Sequence, residues 1–146
     1  MKILGAIFIL CASICYSYLY EKKQKNRIAL VSNMCEFVKY VENQIEYFCT
    51  PYNEILSEYS KNTNSKILFS SNSKESFLEK DEKKIFDSFF ACIGKGFKSE
   101  EISLCKYTYS SLEKKLEKIK AEYPDKIKVS RSMSLFFGFS IIILLI

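Results

Sequence analysis

Two stretches of the chain place apolar residues alternately three and four positions apart. The stripes consist of Val31, Met34, Val38, Val41, Ile45 and Phe48 in the first stretch, and Ile102, Cys105, Tyr109, Leu112, Leu116, Ile119 and Tyr123 in the second. This spacing places the apolar side chains of each stretch on one narrow face of an α-helix. A free coiled coil needs about three or four heptads or more. We therefore favour two helices packed inside one bundle over an intermolecular coiled coil.

The sequence between these stretches predicts two shorter helices. In "CTPYNEIL", Thr50 is a good N-cap and Pro51 suits the first helical position. Ile55, Leu56 and Tyr59 then share one face, which we expect to be buried. A further helix is predicted from about residue 74 or 81 to residue 93. Its buried face should consist of Ile85, Phe86, Phe89, Phe90 and Ile93.

Turn and cap residues mark the boundaries of the later helices. We expect Gly94 to stop the third helix and Ser99 to cap the last one. The first turn of the last helix holds two glutamates, residues 100 and 101, where negative charge is favourable. Pro124 is expected to kink this helix. The segment Ile67–Phe69 is ambiguous between strand, helix and loop.

Both ends of the chain are apolar. Residues 3–20 carry no charge, which is enough for a transmembrane helix, and residues 135–146 are also uncharged. The second segment reaches twenty residues if it begins near Ile127 and Arg131 extends to the membrane surface. A secretory signal peptide is the alternative for the first segment. The tyrosines that crowd its end, where cleavage requires small residues, favour a membrane anchor.

The charges predict how the chain lies at the membrane. Residues 22–27 contain three Lys and one Arg, and Lys126, Lys128 and Arg131 precede the second segment, so the middle of the chain should be cytoplasmic. The formal net charge is +5, with mixed signs, which suits contact with anionic membrane lipid. No basic stripe interleaves with aromatic residues, so no nucleic acid partner is expected.

These patterns together predict an all-α fold, a helical bundle domain flanked by N-terminal and C-terminal transmembrane helices. The predicted parts are a transmembrane helix in residues 1–20, a cytoplasmic helical bundle in 21–132 and a C-terminal membrane segment in 133–146. With four Gly and two Pro in the chain, there is little room for a turn-rich β fold.

The sequence offers little catalytic or metal-binding chemistry. It contains no His, the commonest general base and metal ligand. The stretch "GKGFKS", residues 94–99, lacks the spacing of a phosphate-binding loop and follows a helix, so we interpret it as a helix stop and an N-cap. Glu42 and Glu46 lie one helical turn apart, and we interpret them as solvated charges on an exposed face.

The six cysteines show no C-x-x-C pair and no zinc-ligand spacing. Cys11 and Cys15 fall in the first membrane segment. The other four are expected to be small buried side chains in a reducing compartment. We therefore expect no cofactor and no metal, and a protein that is not an enzyme.

Three segments form a pattern that covers nearly the full length: the opening "MKILGAIFIL", the central "QIEYFCTPYNEIL", and the ending with Gly138 and "IIILLI". On this pattern the chain resembles the stage III sporulation protein AB family of endospore-forming bacteria. The central segment carries most of the resemblance, through Ile45, Tyr47, Thr50, Pro51, Glu54 and Leu56. The chain departs from the family's motif at Gln44, Tyr52 and Ile55. The segment of about residues 60–80 is shorter than the corresponding segment of the family.

The resemblance implies a non-enzymatic membrane component of the channel or secretion-like assembly between mother cell and forespore. Such proteins resemble the cytoplasmic domains of type II secretion and type IV pilus platform proteins. The implied partners are the ATPase-like stage III sporulation protein AA, other proteins of the same assembly, and membrane lipid. The implied location is the outer forespore membrane, with the body in the mother cell.

Two loops are candidates for the partner contact. They are the loop after the third helix, with Lys95 and Lys98, and the helix start formed by Thr50, Pro51 and Glu54. Loops held by rigid helices commonly carry contacts, although each of these residues also has a local role at a helix end. The alternative function is a membrane-tethered helical adaptor unrelated to sporulation.

Overall fold

The structure is a computed structural model that describes residues 2–62 and 78–145, apart from the side chains of residues 2–4, 6, 10, 62, 144 and 145. It contains helices α1 (Lys2–Asn43), α2 (Tyr52–Asn62), α3 (Lys80–Cys92) and α4 (Lys98–Leu145), with a π-helical segment, Gln44–Phe48, directly after α1. No strand occurs in the described residues, which confirms the all-α class for them. The ambiguous segment Ile67–Phe69 lies outside the described residues.

The chain forms two compact units. The body unit is Arg27–Lys118, and the terminal unit combines Met1–Asn26 with Ile119–Ile146. Helices α1 and α4 each contribute residues to both units. The domain boundaries at residues 20 and 132 stay a prediction from the sequence.

The predicted stripe of α1 forms the centre of the body unit. Its members Val31, Met34, Val38, Val41 and Ile45 are all buried, and the neighbouring Leu30 and Phe37 are buried with them. The prediction that Phe48 is the last buried member of the stripe is wrong, because Phe48 is 70% exposed. Phe48 ends the π-helical segment, whose wider turns rotate the following side chains off an α-helical stripe.

Aromatic rings join the short helices to α1. The Phe37 ring lies 4.9 Å from the Tyr59 ring of α2 and 6.3 Å from the Phe89 ring of α3, both edge-on. The predicted buried faces are confirmed at Ile55, Tyr59, Phe86, Phe89 and Ile93, while Leu56, Ile85 and Phe90 are half-buried. Such edge-to-face pairs add about 0.5–1.5 kcal/mol each beyond the burial of their area.

The predicted apolar stripe of α4 is confirmed, but its members are buried to different extents. Cys105 and Leu112, seven residues apart, are fully buried, whereas Tyr109 and Leu116 are half-buried. Positions at every seventh residue therefore face the centre of the body unit, and the positions between them lie at its edge. The intramolecular packing that we predicted accounts for this gradient.

A buried ion pair links α1 to the first turn of α3. Arg27 donates through Nε to both carboxylate oxygens of Glu82 at 3.1 Å, and its Nη1 lies 2.6 Å from Glu79 Oε1. Burial by itself lowers the Arg27 pKa, but the hydrogen bonds and charges of Glu82 and Glu79 outweigh it and raise the pKa. Arg27 is only 6% exposed. The sequence showed only that Arg27 belongs to the basic cluster after the first segment, and the structure adds that its charge is buried and paired.

In the terminal unit, α1 and α4 run antiparallel. Ser13 contacts Ser134, with the hydroxyl oxygens 3.0 Å apart, and Glu21 contacts Arg131, with Oε2 2.6 Å from Nη2. The partner on α4 has a lower residue number when the residue on α1 has a higher one, which shows that the two helices are antiparallel. Helix α4 continues through Pro124. Within the part of the chain that the structure describes, no helix is both long and apolar enough to cross a membrane.

Two further expectations are corrected. Cys35 and Cys105 are buried as predicted, but Cys49 and Cys92 are exposed thiols. Glu42 does not lie on a fully solvated face, because its side chain is 16% exposed and lies 3.9 Å from Lys106 Nζ. The spacing of apolar residues could not reveal these exposures, since each depends on which neighbouring helix covers that side chain.

Candidate functional site

The structure brings the two predicted contact loops together in one cleft of the body unit. The cleft has a volume of about 250 Å³, and it is lined by Ile45, Cys49, Thr50, Pro51, Tyr52, Gly94, Lys98 and Glu101. Three of the five predicted contact residues, Thr50, Pro51 and Lys98, therefore belong to one surface. No local pattern predicts how close these loops lie, because they are more than forty positions apart in the chain.

The first wall of the cleft is shaped by an unusual end to α1. The N–H groups of Cys49 and Thr50 both donate to the carbonyl of Gln44, closing the π-helical segment. Cys49 has a φ of 52°, in the left-handed region that a residue other than glycine rarely adopts. Single π-helical turns and strained backbone are often found at functional sites.

Thr50 and Pro51 do not cap α2 in the way predicted. The Thr50 hydroxyl donates to the side-chain oxygen of Gln44 at 3.3 Å and accepts no bond from an α2 N–H. Helix α2 begins at Tyr52, and the Pro51 carbonyl accepts from the N–H groups of Glu54 and Ile55. The hydroxyl is drawn to Gln44 because the preceding turn already holds the Thr50 backbone there.

Gly94 forms the second wall and ends α3 as predicted. Its φ is +82°, and a Cβ atom there would lie 3.1 Å from Cδ1 of Tyr52. Only glycine meets both demands, the left-handed backbone and the close approach of the Tyr52 ring. The contact places the start of α2 directly against the end of α3.

Lys98 holds the two walls together. Its Nζ donates to the carbonyl of Glu46 at 2.9 Å and to Cys49 Sγ at 3.1 Å. The ammonium therefore occupies carbonyl and thiol acceptors that the π-helical segment leaves at the end of α1. Lys98 therefore positions the cleft, and its role as a partner contact stays a prediction.

The start of α4 is also capped differently from the prediction. The helix begins at Lys98, so Ser99 lies inside it, and the Phe97 carbonyl accepts from the N–H groups of Glu100 and Glu101. The carboxylates of these glutamates accept from the N–H groups of Phe97 at 3.1 Å and Gly96 at 3.4 Å. Their placement in the first turn is confirmed, and their negative charges are engaged by backbone donors.

Exposed aromatic side chains flank the cleft, and sequence analysis missed them. Phe97 is 78% exposed, Phe48 70% and Tyr47 72%. Phe97 and Phe48 immediately precede Lys98 and Cys49, whose side chains are in contact. Lys95 is exposed and forms no ion pair with any described residue. We call Phe48, Lys95 and Phe97 the contact surface.

The titratable groups behind the cleft are held neutral. Burial, and then the nearby Cys105 thiol, raise the pKa of Tyr52 to about 12. Burial, followed by the charges of Glu42 and Glu101, raises the pKa of Cys105 to about 12. Neither group supplies a nucleophile near neutral pH. In the described residues no group of three or more Cys, Asp or Glu side chains is arranged to hold a metal ion.

The sequence model of one protein family matches the chain in two overlapping segments, residues 2–71 and 66–146. The chain belongs to the stage III sporulation protein AB family. No curated protein and no solved structure matches it. The resemblance found in the sequence is thereby confirmed.

Membership of the stage III sporulation protein AB family assigns the protein a role in sporulation. This rules against the alternative of an adaptor unrelated to sporulation. The family consists of structural or assembly proteins of sporulation and is not a known enzyme family.

Two of the five predicted contact residues lie outside the cleft lining. Lys95 belongs to the exposed loop between α3 and α4, and Glu54 is exposed in the first turn of α2. The aromatic residues at positions 47, 48 and 97 were the signal that could have pointed to this surface. In the sequence analysis, the segments around these residues were assigned only to helix stripes and helix caps.

Proposed function

We propose that this protein is a non-enzymatic membrane component of the mother cell–forespore channel or secretion-like assembly needed for endospore formation. In this assembly it docks the ATPase-like stage III sporulation protein AA. The family membership supports the setting. The docking role rests on one observation: two loops distant in sequence meet in one cleft that is flanked by exposed aromatic side chains.

The contact surface suits a protein partner. Exposed aromatic residues beside a fixed cleft are the kind of group that contributes most of the energy in protein interfaces. Lys98 and the two capping glutamates are engaged within the chain, so Lys95 supplies the available charge. The partner segment should therefore present apolar side chains next to a carboxylate.

The terminal unit supports membrane attachment. Most of the exposed large apolar side chains of the described residues belong to it, for example Phe8 at 78%, Phe136 at 71% and Ile143 at 77%. A bilayer would cover these side chains, whereas water would leave a large apolar surface exposed. We propose the outer forespore membrane as the site, with the body in the mother cell and juxtamembrane lysines against anionic lipid.

The docking proposal is tested by a pull-down of the full chain with stage III sporulation protein AA. Phe97→Ala and Lys95→Glu should each weaken binding by about tenfold, because each removes a central contact. Tyr107→Ala is the matched control, since Tyr107 is 75% exposed but lies on α4 away from the cleft. Equal binding by all three variants would show that the contact surface is not part of the interface with the partner.

The location is tested separately by labelling and fractionation. In a chain with Cys11, Cys15, Cys49 and Cys92 changed to Ser, we introduce Ser99→Cys at an exposed site of the body unit. An impermeant maleimide should label it only after lysis, and carbonate washing should leave the protein with the membranes. Labelling of intact cells would contradict the cytoplasmic position, and release by carbonate would contradict the membrane anchor.

A further inference from the structure

We propose that the two terminal segments act in the membrane as one antiparallel helical hairpin, in which Ser13, Ser134, Glu21 and Arg131 lock the helices in register. The C-terminal segment is then held by the first segment and is not an independent anchor. This inference rests on the proposed membrane location. It adds an interaction surface within the terminal unit that the apolar pattern of the sequence does not predict.

The serine pair is reciprocal. The Ser13 hydroxyl donates to the Ser134 carbonyl, and the Ser134 hydroxyl donates to the Ser13 carbonyl at 2.6 Å. The two hydroxyl oxygens lie 3.0 Å apart. Such contacts require the two backbones to approach closely, which small side chains allow. Inside a bilayer no water competes for these hydroxyls, which favours the bonds across the pair.

A charged cluster closes the same hairpin nearer the body end of the segments. Glu21 Oε2 lies 2.6 Å from Arg131 Nη2, and Glu21 Oε1 lies 3.0 Å from Lys25 Nζ and 3.4 Å from the Tyr123 hydroxyl. Glu21 is the first charge after residues 3–20, and Arg131 is the last charge before residues 132–146. Each apolar segment is therefore bounded by a charge that the other segment neutralises.

The two contacts agree on a single register. Ser13 and Glu21 are eight residues apart on α1, and this spacing puts them on the same face, two turns from each other. In antiparallel helices the pairing of Ser13 with Ser134 places Glu21 opposite the position eight residues before Ser134 on α4. Tyr123 and Arg131 lie on either side of that position, and their long side chains reach Glu21. A slip of either helix would break both contacts together. It would also leave polar groups without partners in an apolar environment, which is costly.

The register is tested by disulfide formation in native membranes. In the full chain with Cys11, Cys15, Cys49 and Cys92 changed to Ser, Ser13→Cys and Ser134→Cys are introduced together. A mild oxidant should join them readily, because disulfides need Cα atoms about 4.4–6.8 Å apart and the serine contacts imply such an approach. The matched control pairs Ser13→Cys with Ser140→Cys, since the Ser140 hydroxyl bonds Phe136 in its own helix.

The expected rate for Ser13 with Ser134 is at least about tenfold that of the control pair, because the control cannot meet the distance requirement. Equal rates would overturn the hairpin. Carbonate extraction of the same samples separates the two proposals. Protein that stays in the membrane without the specific cross-link refutes the hairpin alone, and protein that is washed out refutes the membrane location.

The dependence of the second segment on the first is tested with a cysteine added after Ile146. In non-sporulating cells, where the chain would insert into the plasma membrane, an impermeant maleimide labels this reporter from outside only if the segment crosses. Ser13→Val combined with Glu21→Gln should reduce labelling about three- to twentyfold, given about 0.6–1.7 kcal/mol for a polar contact between membrane helices. Ser17→Val, one turn along α1, is the control. Unchanged labelling in the double variant would overturn the dependence.

Discussion

The body unit and the terminal unit use apolar residues in opposite ways. Most of the buried apolar side chains of the described residues lie in the body unit, and most of the exposed large ones lie in the terminal unit. The body unit is therefore stabilised by its own core, as in an ordinary globular domain. The terminal unit pairs two helices through polar contacts and leaves its apolar surface for another environment to cover.

The largest effect is expected from a charge placed in the core of the body unit. Leu112→Asp should cost about 4 kcal/mol or more and unfold the bundle, because a buried carboxylate without a partner is strongly unfavourable. Leu116→Asp should cost less, since Leu116 is half-buried. Circular dichroism and thermal melting of the full chain in detergent measure both. Normal melting of Leu112→Asp would show that the stripe is not a core.

The buried ion pair should give the next largest effect. Glu82→Ala leaves the Arg27 charge buried with only Glu79 beside it, and it should destabilise the body unit by about 3–5 kcal/mol. Glu79→Ala should cost less, about 1–2 kcal/mol, because the Glu79 side chain is 64% exposed and its main role is to cap the first turn of α3. Denaturant unfolding of both variants provides the measurement. Similar losses of unfolding free energy in the two variants would contradict the conclusion that burial makes the Arg27–Glu82 pair the more important one.

Gly94 gives a smaller and more local effect. Gly94→Ala should cost about 1–3 kcal/mol, because the left-handed backbone is strained for alanine and the new methyl would press on Tyr52. Gly96→Ala is the control: its backbone is not left-handed, and its added Cβ would lie nearest to a carboxylate oxygen of Glu100, at 3.0 Å. Both are compared by unfolding and by binding to the partner. If the two alanines behave alike, the close packing of the cleft walls is not required.

The smallest effect concerns the charged cluster of the terminal unit. Hydrogen bonds from Arg131 first, and from Lys25 second, lower the pKa of Glu21 below its ordinary value of 4.5. The pairing therefore stabilises the folded form above the ordinary pKa and is lost as the pH falls through the lowered one. An NMR titration should show the Glu21 pKa rising toward its ordinary value in Arg131→Gln, and rising less in Lys25→Gln. No change in Arg131→Gln would mean that the pair does not persist in solution.

Local patterns in the sequence determined the helices, the core stripes and the stop at Gly94, because helical period and backbone freedom are properties of neighbouring residues. The family resemblance was also carried by the sequence alone. The cap assignments at Thr50 and Ser99 failed since competing partners, Gln44 and the two glutamates, were available in the folded chain. Phe48 failed for a related reason, as a π-helical turn broke the α-helical period.

Only the tertiary structure decided which distant groups meet. The Arg27–Glu82 pair joins residues 55 positions apart, the Lys98–Cys49 contact joins residues 49 apart, and the Ser13–Ser134 pair joins residues 121 apart. No local preference encodes such contacts, because each depends on how whole helices pack and on which side chains lose access to water. The sequence by itself determined which segments are helical and apolar. The packing decided that Arg27 is a buried charge, that Lys98 is a bridge across the cleft, and that the contact surface consists of Phe48, Lys95 and Phe97.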